Sequence, residues 1–208
     1  RNILANVLQN DAWLQPALVK PPIVEQMVIV CALPLYHVFA LTACYLLGMR
    51  CGGTNLLIPN PRDMAGFVKE LSKYQVSFFP AVNTLYNGLL NTPGFDKLDF
   101  SKLKIANGGG MATQRPVAEK WLKVTGISLS EGYGLSETMA ATHINPVRRP
   151  MRQCLGIPIF DVDARVVDPT TFQELPRNEV GEVIVHGPQV MLGYWRNPQA
   201  DAESFIEI

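Results

Sequence analysis

A mostly parallel α/β fold, with its sheet flanked by helices, is predicted from three observations. Short unbroken apolar runs recur between Val28 and Leu129, segments of helical spacing lie between them, and alternating apolar and polar residues begin only after Pro150. Unbroken runs suit parallel strands buried on both faces, whereas alternation suits antiparallel strands with one wet face.

The first run, Met27 to Ala32, stops before Pro34, and Phe39 to Leu47 can follow as a buried helix. Asn55 to Ile58 is the second strand. A helix is then expected from Asp63 to Tyr74, because Met64, Phe67, Val68 and Leu71 share one face and Asp63, just after Pro61, can cap it. Val76 to Phe79, Leu103 to Ala106 and Ile127 to Leu129 read as further strands. The helices between them are expected at Val82 to Leu90 and at Thr113 to Val124, the latter capped by Thr113 with Pro116 near its start. Such alternation implies right-handed crossovers and a doubly wound sheet. Beyond the turn at Asn145 to Gln153, Asp163 to Val167 and Glu179 to His186 alternate on either side of DPTTFQELPRNE, as antiparallel strands do. The chain therefore divides into an α/β part, 1–149, and an antiparallel part, 150–208.

Bulk properties narrow the function. With 208 residues, 48% apolar, the chain can bury a substantial core. Lys plus Arg and Asp plus Glu both number 18, which leaves no basic surplus for nucleic acid. Cys31, Cys44, Cys51 and Cys154 lack metal-ligand spacing, and three lie in apolar surroundings, which favours a reducing, cytoplasmic setting. RNILANVLQNDAW has none of the features of a signal peptide, and a start without Met reads as that of an internal fragment. Met27 to Met49 is long enough to cross a bilayer, but Pro34, the β-branched start and Tyr36, His37 and Thr42 favour a strand, a turn and a helix.

Chemistry concentrates at the expected strand ends. In EGYGLSET, Glu131 to Thr138, Gly132 and Gly134 let the backbone approach a ligand, and Tyr133 offers a face for a base. Ser136 supplies a hydroxyl for phosphate, and Glu137 a hard oxygen for Mg²⁺. The plainer alternative is a turn and a helix capped by Ser136, with Glu137 complementing the dipole. Asn107, Gly108, Gly109, Gly110 and Met111 form a glycine turn without a lysine, open to a ligand or simply tight. Tyr36 and His37 follow the first strand, where a histidine can serve a site or merely fill a core. All three belong to one edge of a parallel sheet, where open α/β folds bind ligands.

Taken together, ALPLYHVFALT, FFPAVNTLYNGLLN, NGGGMATQRPVAEKW, EGYGLSET and VMLGYWRNPQAD resemble segments of bacterial long-chain fatty acid CoA ligases, in the adenylate-forming superfamily. The resemblance implies that an intact enzyme joins a fatty acid to ATP as acyl-adenylate and passes the acyl group to coenzyme A. It implies ATP and Mg²⁺ bound by this chain: Tyr133 against adenine, Gly108, Gly109 and Gly110 flanking adenine and the acyl carboxylate, Ser136 on the α-phosphate and Glu137 on the metal. Glu131, Gly132 and Gly134 complete the nucleotide set. His37, Ser136 and Glu137 are the implied catalytic residues, and Tyr36, His37, Val82, Tyr86, Gly109 and Met111 the implied substrate contacts, with Phe79 and Leu85 as further tunnel candidates. Where the superfamily usually has threonine this chain has Ser136, which keeps the hydroxyl. Gly156 and Pro158 match a turn that leads into a small antiparallel β-barrel. The superfamily's phosphate loop with its lysine, the ribose-binding aspartate and the lysine-bearing carboxy-terminal domain are not found, so the fragment is expected to be inactive alone. An amino acid or aryl acid adenylating domain and a non-catalytic adenine nucleotide module are the alternatives. Peripheral contact with the inner face of a membrane and oligomer formation stay open for the full enzyme.

Overall fold

The structure, a computed structural model, describes residues 1–147, 149–151 and 153–206. Five parallel strands form the body of its main sheet: β1 (Val28–Cys31), β2 (Thr54–Leu57), β3 (Phe78–Ala81), β4 (Ile105–Gly108) and β5 (Leu129–Tyr133). Two short antiparallel strands, β6 (His143–Ile144) and β7 (Ile157–Pro158), extend it beside β5. The order is β2-β1-β3-β4-β5-β6-β7, so the winding reverses between β1 and β3. In open α/β sheets ligands bind at such a reversal, outside the carboxyl ends of the strands.

Both faces of the sheet are covered, because successive side chains of a strand point opposite ways. Val30, Phe79 and Ala106 enter one core with helices α3 (Met64–Leu71), α4 (Asn83–Leu90) and α5 (Arg115–Thr125). Trp121 lies at its centre, its ring 4.6 Å from Tyr86 and 5.3 Å from Phe79, both near perpendicular. Ile29, Cys31, Phe78 and Ile105 enter a second core with α1 (Asn2–Leu18) and a π-helical segment, Ala40–Leu46, that continues as α2 (Leu47–Arg50). Beyond β7 come the antiparallel pair β8 (Asp163–Val167) and β9 (Glu182–His186), then α6 (Pro198–Ser204).

Several expectations need correcting. β3, β4 and β5 start about two residues later than their apolar runs, because the ladder pairs backbone groups whatever the side chain; Asn107, Gly108, Ser130 and Glu131 all lie within it. Glu131, Gly132 and Tyr133 consequently belong to a strand, not to a turn. Asp63 caps α3 as expected, its Oδ1 accepting from Gly66 N–H at 2.9 Å. Thr113 does not cap α5: Gln114 precedes that helix, and Asn83 Oδ1 accepts the Gln114 N–H at 2.9 Å. The helix expected at Phe39 to Leu47 is largely π-helical. α1 has no counterpart among the sequence expectations, because its buried face carries Asn6, Gln9 and Asn10. The main sheet also takes its last strand from Ile157–Pro158, past Asn145 to Gln153. Among the described residues, no helix is long and apolar enough to cross a membrane.

Candidate functional site

Segments that leave the carboxyl ends of four parallel strands meet along one rim. After β1, the turn at His37 leads to Phe39, whose ring lies 3.1 Å from where a Cβ on Gly109 would stand. Thr42 Oγ1, one helical turn on, shares its proton between the Val38 carbonyl and the Met139 carbonyl beyond β5, the latter at 3.2 Å. After β3, Val82 reaches within 3.8 Å of the corresponding point on Gly110. Val82 and Asn83 thus back the glycine turn while Phe39 flanks it.

His37 is exposed, and its Nδ1 accepts the Phe39 N–H at 3.2 Å. That bond assigns the proton of the neutral ring to Nε2, which has no hydrogen-bond partner among the described residues. Tyr36, at 92% exposure, touches little of the protein. Gly108 and Gly109 are buried, whereas Gly110 and Met111 are exposed at the turn's outer side. Beneath it lie two buried polar atoms without hydrogen-bond partners among the described residues, Asn107 Oδ1 and Thr113 Oγ1. Sequence reasoning read Thr113 as a cap and gave Asn107 no role; only burial marks both as groups able to meet a ligand.

Beyond β5 the chain doubles back so tightly that a Cβ on Gly134 would fall 1.4 Å from the Ala140 carbonyl oxygen. Ser136–Thr138 makes a single 3-10 turn, stapled by the Leu135 N–H donating to Thr138 Oγ1 at 2.9 Å. Ser136 is therefore not a helix cap, and its hydroxyl is exposed. Met139 and Ala140 follow with φ of 55° and 105°, sparsely populated values for residues with a Cβ. Their neighbours hold them there. Asn6 of α1 grips Ala141 from both sides, donating to its carbonyl at 2.7 Å and accepting its N–H at 3.3 Å. Thr142 N–H donates to the Tyr133 carbonyl at 2.8 Å, closing the loop.

Tyr133 is half-buried, its ring 6.0 Å from that of His143 at a tilt of 58°. Burial pushes His143 below the ordinary histidine value of 6.5, so it backs Tyr133 as a neutral ring. Glu137 is half-buried and held by the segment before α6: its carbonyl accepts the Met191 N–H at 2.8 Å, and its Oε1 accepts the Tyr194 hydroxyl at 2.8 Å. That acceptor raises the Tyr194 pKa above its ordinary value. Among the described residues Glu137 Oε2 accepts no hydrogen bond, and no group of three His, Cys, Asp or Glu side chains could cage a metal. One open carboxylate oxygen fits a Mg²⁺ whose other ligands are water and phosphate.

Two expected site residues lie elsewhere. Tyr86 is fully buried against Trp121, with its hydroxyl donating to the Phe79 carbonyl at 2.7 Å and its pKa pushed well up by burial. The helix face that carries Leu85, Tyr86 and Leu89 turns into the core, and Phe79 is sealed there too, so Tyr86 is a core residue, not a substrate contact. Glu131 is buried, with its two oxygens accepting the Thr113 N–H at 3.2 Å and the Gln153 N–H at 3.1 Å. Its carboxylate joins β5 to both neighbouring loops, a structural part that the motif alone does not reveal. A cleft of about 370 Å³ lies at the opposite end of β4 and β5, among Lys20, Lys104 and Ser128, away from all these groups.

Residues 1–195 match the family of AMP-binding enzymes. The chain is 48% identical over 204 residues to a long-chain-fatty-acid–CoA ligase of Escherichia coli O6:H1, a match covering 98% of this chain and 36% of that protein. A long-chain-fatty-acid–CoA ligase of Bacillus subtilis is 36% identical over 203 residues, covering 97% of this chain and 35% of its own. The structure of ATP-bound MatB from Rhodopseudomonas palustris superposes with a TM-score of 0.80 at 26% identity, over 97% of this chain and 39% of that one.

Proposed function

The chain belongs to the AMP-binding enzyme family, and from that premise we propose that it forms a nucleotide-binding part of a fatty acid CoA ligase. It spans about a third of the length of the curated relatives it matches, so the activity proposed is that of an enzyme of their length. The reaction has two steps. The fatty acid carboxylate attacks the α-phosphorus of ATP and pyrophosphate leaves; the thiol of coenzyme A then attacks the acyl carbon and AMP leaves.

The observation that carries the reading is the joining of the Phe39, Gly109 and Met139 segments into one rim at the sheet's switch point. On this rim Tyr133, backed by His143, is assigned to adenine, and Gly108, Gly109 and Gly110 to close passage of adenine and the acyl carboxylate. The exposed Ser136 hydroxyl is assigned to the α-phosphate, and the free Nε2–H of His37 to the acyl and phosphate oxygens. Glu137 would hold Mg²⁺, which supplies neutralisation of phosphate charge. Displacement at phosphorus depends mainly on positioning and charge neutralisation, so donors on a fixed rim serve it without an acid and base pair. Tyr36, Val82 and Met111 remain as acyl contacts. Because β7 keeps the main sheet going to Pro158, a second, antiparallel subdomain is proposed to begin after it, with β8 and β9; peripheral membrane contact of the whole enzyme is proposed as well.

Pyrophosphate exchange into ATP by the full-length enzyme, compared across fatty, aryl and amino acids, tests the substrate class. Exchange only with aryl or amino acids would reject the fatty acyl assignment. Glu137→Ala is expected to lower turnover about 10²-fold or more while leaving the melting temperature nearly unchanged. Equal loss of soluble protein and activity would return Glu137 to a purely structural role.

A further inference from the structure

We propose that Tyr194 is a positioning residue for the Glu137 carboxylate, holding one oxygen so that the other faces the metal. This inference rests on the reading of Glu137 as the Mg²⁺ ligand. Tyr194 lies 57 residues along the chain, yet its hydroxyl donates to Glu137 Oε1 at 2.8 Å. From the same segment, Met191 N–H donates to the Glu137 carbonyl at 2.8 Å, so main chain and side chain are held together.

Tyr194 is itself held. Its N–H donates to Asp201 Oδ1 on α6 at 2.7 Å. Between these anchors Gly193 has a φ of 147°, and a Cβ there would meet the Asp201 carboxylate oxygens at 3.0 Å. Leu192 and Trp195, on either side, are 98% and 86% exposed. Hydrogen bonds thus hold the segment at both ends, and the hydroxyl of Tyr194 is its one side-chain bond to Glu137 among the described residues. A carboxylate with one oxygen held by a donor is preset in orientation before a metal arrives, as partners behind a metal ligand generally achieve.

The test is binding of Mn²⁺, in place of Mg²⁺, to the full-length enzyme with ATP, followed by electron paramagnetic resonance. Tyr194→Phe, which removes only the hydroxyl, is expected to weaken Mn²⁺ about tenfold. ATP affinity without metal and the melting temperature should not change. In a Glu137→Ala background the same substitution should cost nothing further, because the carboxylate it positions is gone. Wild-type Mn²⁺ affinity in Tyr194→Phe, alongside loss in Glu137→Ala, would overturn the role of Tyr194 and leave the metal site standing. An equal loss from Tyr194→Phe with and without Glu137 would also overturn it, since the effect would then be one of general stability. Unchanged Mn²⁺ affinity in Glu137→Ala would reject the metal site and the positioning with it.

Discussion

Tyr133 gains a second ring, His143, that no motif contains. Burial keeps this imidazole below 6.5 in the folded chain, so at pH values between the two the unfolded chain binds a proton that the folded chain refuses. The stability contributed by the neutral ring is full above 6.5 and is lost as pH falls from 6.5 toward the folded value. Thermal melts across that window should therefore show a falling melting temperature in the wild type and a shallower fall in His143→Gln. Parallel slopes would remove His143 as the source. Within EGYGLSET the residues part ways for a similar reason: Tyr133, Ser136 and Glu137 reach the rim, while Glu131 is consumed by two backbone N–H groups. A carboxylate that bonds main chain and one that is open to a metal are the same letter in a sequence.

At the scale of elements, the loop from Gly134 to Thr142 is the part most tightly specified. Only hydrogen fits on the Gly134 Cα where it passes the Ala140 carbonyl, and that contact is to main chain, which cannot swing away. Gly134→Ala should destabilise by at least the upper end of the usual overpacking range of about 1–3 kcal/mol, read from the urea midpoint. Nucleotide binding should fall with it, because Ser136 and Glu137 sit in the same loop. A neutral substitution would mean that the loop relaxes easily and that the left-handed Met139 and Ala140 store no constraint. The π-helical turn after His37 plays the complementary part, sending Thr42 across to Met139. Extra residues per turn of this kind are concentrated at functional sites.

For the whole molecule, α1 ties the first residues to the last third of the chain. Asn6 bonds Ala141, Gln9 donates to the Phe160 carbonyl at 2.7 Å and to Gln189 Oε1 at 3.2 Å, and Asn2 reaches the Val190 carbonyl at 2.6 Å. Asn6→Ala leaves the Ala141 groups unpaired and should cost about 1–3 kcal/mol in chemical denaturation. It should also loosen the loop that carries Glu137, seen as faster amide exchange at Ala141; unchanged exchange there would limit α1 to ordinary packing. The sequence by itself determined the parallel α/β class, the Asp63 cap, the antiparallel texture after Pro150 and the stretches that reach the rim, because apolar period, turn chemistry and residue type are local properties. Tertiary structure alone decided the strand limits, the burial of Tyr86, the diversion of Glu131, the polar face of α1 and the grip of Tyr194 on Glu137. Each of those depends on which backbone or side-chain group arrives from tens of residues away to satisfy a donor or acceptor, and no local pattern records the arrival.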